Sequence, residues 1–179
     1  MKNYKKESYP EDISVLLSYA DEVAKNILAN LNNKNAKRVC DLYTEINGKI
    51  IRNKKQFEDL GYTPNESNEF KGLYIFGEEQ NGNVIPVYVG ISRSVFRRLK
   101  QHAWGKLHNE CTLAYLKTKQ QRTEITRKKV TNEDMLPAKT IIQNYKVALI
   151  PVKNDYDLYF LEVVLAGKFR TKWNSFKTH

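Results

Sequence analysis

Apolar residues recur at threes and fours from Ile13 through Leu16, Leu17, Ala20, Val23, Ala24, Ile27 and Leu28 to Leu31, the period of one helical face. Ser8-Tyr9-Pro10-Glu11 precedes them in the Ser-x-x-Glu form of a capping box, with Pro10 tolerated in the first turn. The pattern stops in Asn32-Asn33-Lys34-Asn35. A stripe this long predicts a helix buried against the rest of the chain, with burial against a second copy as the alternative. Val39 to Leu60 is ambiguous. Leu42, Tyr43 and Ile46 fit a helix, whereas Asn47-Gly48 followed by Ile50 and Ile51 fits a hairpin. The reading adopted is a short helix, a turn and a second helix around Lys55 to Leu60 that ends at Gly61. The polar run Thr63-Pro64-Asn65-Glu66-Ser67-Asn68 reads as a linker.

Beyond it the period changes from helical to alternating. Gly72-Leu73-Tyr74-Ile75-Phe76 and Ile85-Pro86-Val87-Tyr88-Val89-Gly90 read as strands. The Asn81-Gly82-Asn83 loop between them makes them antiparallel neighbours, with Tyr74 and Tyr88 close on one sheet. Ser92 or Ser94 can cap a helix carrying Val95, Phe96, Leu99 and Ala103. Trp104 to Glu110 reads as a loop, Cys111 to Lys119 as a helix, and Tyr145 to Val152 as a third strand with Pro151 at its end or at an edge. Asn154 or Asp155 starts a last helix with Leu158, Leu161, Val164 and Leu165 toward the core. The fold class is α+β: a small antiparallel sheet of about three strands flanked by helices. A helical extension over residues 1–68 precedes the domain of residues 69–179.

Charge adds a partner class. Thirty basic against 20 acidic residues leave a net charge of +10, which favours a polyanion, since each phosphate neutralised releases condensed counterion. Arg97, Lys100, Lys106, His108, Lys117, Lys119 and Arg122 are the residues assigned to such contacts, as a surface that holds a nucleic-acid backbone without reading sequence. A solvated face is the alternative for this run. Cys40 and Cys111 form no Cys-x-x-Cys pair, so a zinc knuckle or redox motif is not expected. No apolar run reaches membrane-spanning length and no signal-peptide core follows the charged N-terminus, so a cytoplasmic protein without membrane contact is expected. Phosphate-loop and dinucleotide-binding glycine patterns are absent.

Two features carry candidate chemistry. Arg98 and His102, four apart on a helix, share a face where a cation and an imidazole can converge on one anion. Glu162 sits in the apolar stretch Tyr159-Phe160-Leu161-Glu162-Val163-Val164-Leu165, where a carboxylate either faces solvent or needs a partner.

The order Gly72-Leu73-Tyr74, Tyr88-Val89-Gly90, then Arg98-Leu99-Lys100-Gln101-His102 resembles the signature of the GIY-YIG nucleases, over about residues 71–179. Leu73 and Val89 stand where the pattern has isoleucine, and the gap between the tripeptides is a little long. The resemblance implies a phosphodiester hydrolase with Glu162 as metal ligand for Mg²⁺ or Mn²⁺. It implies Asn174 as a further site residue, able to orient that carboxylate or a metal-bound water. A plain turn asparagine is the alternative. Arg98 would stabilise the charge of the transition state. Tyr74 is the assigned base, provided nearby cations depress its pKa, with His102 receiving its proton and Tyr88 orienting by hydrogen bond; His102 as base is the alternative. The activity expected is therefore a metal-dependent DNA endonuclease in restriction, repair or a mobile element. An RNA nuclease and a non-cleaving binding module remain open, and a homodimer would allow both strands of a duplex to be cut.

Overall fold

The computed structural model describes residues 12–63, 65 and 69–176. The capping box at Ser8 to Glu11 lies outside these, and α1 (Ile13–Leu31) instead starts at Asp12, whose carboxylate accepts the Ser14 amide. Its stripe packs within the chain. Ala20, Val23, Ile27 and Leu31 share one core with Leu73, Ile75, Val89 and Leu161.

Between Val39 and Leu60 the hairpin wins over the first expected helix. After a 3-10 turn (Cys40–Leu42), β1 (Tyr43–Ile46) and β2 (Lys49–Arg52) pair antiparallel. Asn47 and Gly48 both take positive φ, of 50° and 73°, the backbone that a two-residue turn between right-twisted strands requires. The second helix, α2 (Lys54–Asp59), forms as expected, capped by the Asn53 side chain.

The main sheet has three strands in the order β4-β3-β5: β3 (Gly72–Gln80), β4 (Asn83–Ser92) and β5 (Lys146–Pro151), all antiparallel. The pleat sorts β3 into two faces. Leu73 and Ile75 enter the core under α1 and α6 (Asp155–Phe169). Tyr74 and Phe76 enter a second core under α3 (Val95–Trp104), α4 (Thr112–Gln121) and α5 (Leu136–Gln143). That second core also takes Val39, Leu42, Tyr43 and Phe57, so residues before and after the polar stretch at 63–68 are packed together. Helix α5 has no counterpart in the sequence reading.

A break in register after Phe76 pairs Phe76 with Tyr88 but Gly77 with Pro86. Val87 is left as the extra residue, a bulge of the kind that re-aims neighbouring side chains. As a result Val87 and Tyr88 both face the second core while Val89 faces the first. The free edge of β4 is covered by the C-terminal segment: the Trp173 amide donates to the Val87 carbonyl at 3.2 Å.

Ser94 makes no side-chain cap and the Ser92 hydroxyl accepts the Ser94 amide at 2.9 Å, so neither expected serine caps the amides of α3. The Glu69 carboxylate does this instead, accepting the Phe96 and Arg97 amides at 2.9 Å each while pairing with Arg52. The negative charge thus meets the positive end of the helix that carries Arg98 and His102. Among the described residues, no helix is long and apolar enough to cross a membrane. Glu69→Ala is expected to cost about 1–2 kcal/mol, the usual value of a helix cap, seen as a lower midpoint in chemical denaturation. An unchanged midpoint would remove Glu69 from the support of α3.

Candidate active site

Strand β3 delivers Tyr74, the bulged β4 delivers Tyr88, α3 delivers Arg98 and His102, and α6 delivers Glu162. The Tyr74 and Tyr88 ring centroids are 6.1 Å apart, and those of Tyr88 and His102 are 5.6 Å apart. The Tyr74 hydroxyl lies 2.8 Å from Nε2 of His102, a hydrogen bond wholly inside the protein. Tyr74 reaches this position because its ring lies over Gly90. A Cβ added to Gly90 would collide with the Tyr74 ring and hydroxyl. The glycine of Tyr88-Val89-Gly90 therefore makes room for the tyrosine of Gly72-Leu73-Tyr74.

Burial sets the protonation states. Tyr74 is 1% exposed and His102 fully buried. Loss of water raises the Tyr74 pKa well above that of free tyrosine and the neighbouring Tyr88 phenol raises it further, while Arg98 only partly opposes this. The depression expected of Tyr74 is thus reversed: desolvation outweighs the cation. His102 moves the other way, well below its ordinary value, first through burial and then through Arg98. Both are uncharged near neutral pH. The Nδ1 atom of His102 has no hydrogen-bond partner.

Tyr88 is less buried as a residue than Tyr74, although its ring packs against the second core. Burial raises its pKa, Arg98 lowers it and Glu162 raises it, so guanidinium and carboxylate both act on this one hydroxyl. Arg98 is aimed by a hydrogen bond from Nη1 to the Glu110 carbonyl at 2.6 Å, with a longer one to Gln101 at 3.4 Å. Glu162 has no hydrogen bond or ion pair among the described residues, and burial alone pushes its pKa up to about 7.

Whether a divalent cation suits this place is decided by the donor set. No group of three or more His, Cys, Asp or Glu that could jointly hold a metal occurs among the described residues. One unpaired carboxylate oxygen donor is nonetheless what Mg²⁺ commonly takes from a protein, completing its shell with water and substrate phosphate. Glu162 fits that role, and a bound cation would relieve the cost of its ionisation.

Other assigned residues lie elsewhere. Asn174 is committed to β4: its Oδ1 accepts the Val89 amide at 2.9 Å and the Thr171 hydroxyl at 2.8 Å, and its Nδ2 donates to the Val89 carbonyl at 2.7 Å. It therefore fixes the strand next to Tyr88, with no capacity left on Oδ1 for a metal-bound water. Lys117 is buried and donates to the Tyr145 hydroxyl at 2.8 Å, over the Trp173 ring. It belongs to the core and not to a solvated phosphate-holding face. Arg122 is ion-paired with Glu124 and Asp134, and His108 packs on Tyr115. Arg97, Lys106 and Lys119 are exposed, and Lys100 is half-buried. Glu69 was not legible as a supporting residue, because its partners come from two segments remote in sequence, β2 and the start of α3.

No protein-family model, curated protein or solved structure matches this chain.

The Glu162 shift gives a pH test. With a native pKa of about 7 against an ordinary 4.5, the folded state holds more protons than the unfolded one between those values. Stability from this group is therefore fully present below about 4.5 and is lost as pH rises through 7. Discounted for partial exposure, the loss is about 1 kcal/mol. Without divalent ions at pH 8, Glu162→Gln is expected to melt about 2–4 °C above the parent protein, and added Mg²⁺ to raise the midpoint of the parent but not of the variant. A variant that melts at or below the parent would show Glu162 to be already compensated.

Proposed function

We propose that the protein is a metal-dependent phosphodiester hydrolase, and more particularly an endonuclease acting on DNA in the manner of the GIY-YIG nucleases it resembles. The observation that carries this reading is that Arg98 and Glu162 both act on Tyr88, whose ring packs against Tyr74 and His102, themselves joined by a buried hydrogen bond. Cleaving a phosphodiester requires positive charge on the non-bridging oxygens, a group to take a proton from water, and a way to neutralise the leaving oxygen. Arg98, Tyr88 and Glu162 are the residues that would meet these three requirements.

Arg98 supplies the first requirement. Its planar fork stays charged at all relevant pH values, and the bond to the Glu110 carbonyl leaves other donors for phosphate. Glu162 would hold Mg²⁺ or Mn²⁺, which supplies Lewis-acid chemistry when bound. Tyr88, the less buried of the two phenols, would orient the attacking water and take its proton while passing its own to Tyr74, which in turn passes its own to His102. With His102 in the tautomer protonated on Nδ1, the Tyr74 hydroxyl donates to Nε2 and the relay ends there. This moves the water-facing role from Tyr74 to Tyr88, because Tyr74 is sealed from solvent. One such site cuts one strand, so cutting a duplex takes a homodimer or two successive nicks. Two free cysteines, one buried, are consistent with a reducing, cytoplasmic setting.

Purified protein incubated with supercoiled circular DNA, single-stranded DNA and RNA tests the proposal. Mg²⁺-dependent nicking of DNA that chelator abolishes is expected. Arg98→Ala should slow it about 10²–10³-fold, as loss of one charge-stabilising donor does. Tyr88→Phe should slow it about 10²–10⁴-fold, the range of a lost general base. Glu162→Gln at the parental rate would refute the site. Cleavage of RNA alone, or DNA binding without cleavage, would replace the reading by an RNA nuclease or a binding module.

A further inference from the structure

A concavity with a volume of about 1030 Å³ lies between α3 and the β1–β2 hairpin. We infer that it receives one unpaired nucleotide of the DNA strand that the site cuts; the identity of the strand rests on the proposed activity.

The floor of the groove suits a base. Trp104, half-buried at the end of α3, meets Tyr43 edge-on with centroids 5.3 Å apart. Ile50 is only half-buried beside them, and Leu107 at the mouth is 59% exposed. Apolar and aromatic surface left open in a concave site is where a nucleobase gains by stacking. The rim suits a backbone. Arg97, Lys100 and Lys106 line it and have no side-chain hydrogen bond or ion pair among the described residues. The two carboxylates present are already engaged: Glu69 by Arg52 and the start of α3, Glu110 by the Lys106 and Leu107 amides at 3.0 and 3.2 Å. The lining therefore keeps a net positive charge for phosphate.

The groove adjoins Arg98, because Gln101 and Glu110, which accept hydrogen bonds from its guanidinium, both line it. A strand that crosses α3 can place a phosphate at Arg98 and a neighbouring base against Trp104. A paired base has both faces stacked on its neighbours and its pairing edge bonded to its partner, and cannot enter. An acidic peptide would satisfy the rim but leave the aromatic floor unused.

Trp104 provides the readout, since the chain has two tryptophans and Trp173→Phe leaves it alone. In the Glu162→Gln protein with chelator, so that nothing is cut, a short single-stranded oligodeoxynucleotide should quench Trp104 emission. The same oligomer with abasic positions should bind about tenfold more weakly, one stacked base being worth about 1–3 kcal/mol, and leave emission unchanged. Lys100→Glu with Lys106→Glu should weaken both oligomers alike. If Trp173→Phe does not fold, anisotropy of labelled oligomers on Trp104→Ala decides: the difference between intact and abasic strands should vanish. Equal binding of intact and abasic strands to the parent groove, or tighter binding of duplex or RNA, would overturn the inference. Base-dependent binding by a protein that never cuts would leave the groove standing and remove the nuclease reading, and cutting with base-independent binding would do the reverse.

Discussion

The hydrogen bond between Tyr74 and His102 is what the remainder of the site depends on. It joins the central strand of the sheet to α3 inside a sealed aromatic core where Phe76 and Tyr88 also meet His102. In such a place a polar pair is worth having only when each member satisfies the other, because an unpartnered hydroxyl or imidazole would carry its full desolvation cost. Gly90 permits the pairing by leaving space for the Tyr74 ring, and Asn174 holds the adjoining residue of β4 by both backbone groups. The short glycine-tyrosine tripeptides of the two strands thus have a packing reason that is independent of any chemistry.

Desolvation then decides which groups carry charge. It keeps Tyr74 and His102 neutral and pushes Glu162 toward its neutral form as well, leaving Arg98 as the fixed charge beside Tyr88. Glu162, unpaired and with a pKa near 7, is the least comfortable of them. A carboxylate left this way costs stability, and such residues concentrate where a ligand or ion completes them. The supports are remote in sequence: Glu69 at the start of α3, Glu110 behind Arg98, and the bulge at Val87 that turns Tyr88 to the same side as Tyr74.

Strong periodicity made much of the fold legible. The stripe of α1, the alternation of β3 and β4 with Asn81-Gly82 between them, and the last helix all appear in the chain as they do in space. Strand pairing placed Tyr74 beside Tyr88 and helical spacing placed Arg98 beside His102, both local rules; only the resemblance joined the two pairs, whose rings do meet in the structure. It failed where tertiary contact overrode local preference. Leu42, Tyr43 and Ile46 look helical, yet the Asn47-Gly48 turn and burial of Tyr43 under α3 favour strands. In α5, Pro137 at the start and the brevity of the helix hide a period. Lys117 reads as surface charge because nothing nearby in sequence announces its acceptor, Tyr145. The reversal of the Tyr74 pKa was likewise invisible, because degree of burial is a property of the whole fold.

The central claim is that burial holds Tyr74 and His102 as a neutral pair beneath the Tyr88 ring. Nitrogen-15 chemical shifts of the His102 imidazole, followed from pH 8 to pH 5, measure this directly. The account predicts shifts of a neutral ring throughout, with the Nε2 shift altered by Tyr74→Phe. Protonation near the ordinary histidine value of about 6.5, or shifts indifferent to Tyr74→Phe, would contradict it.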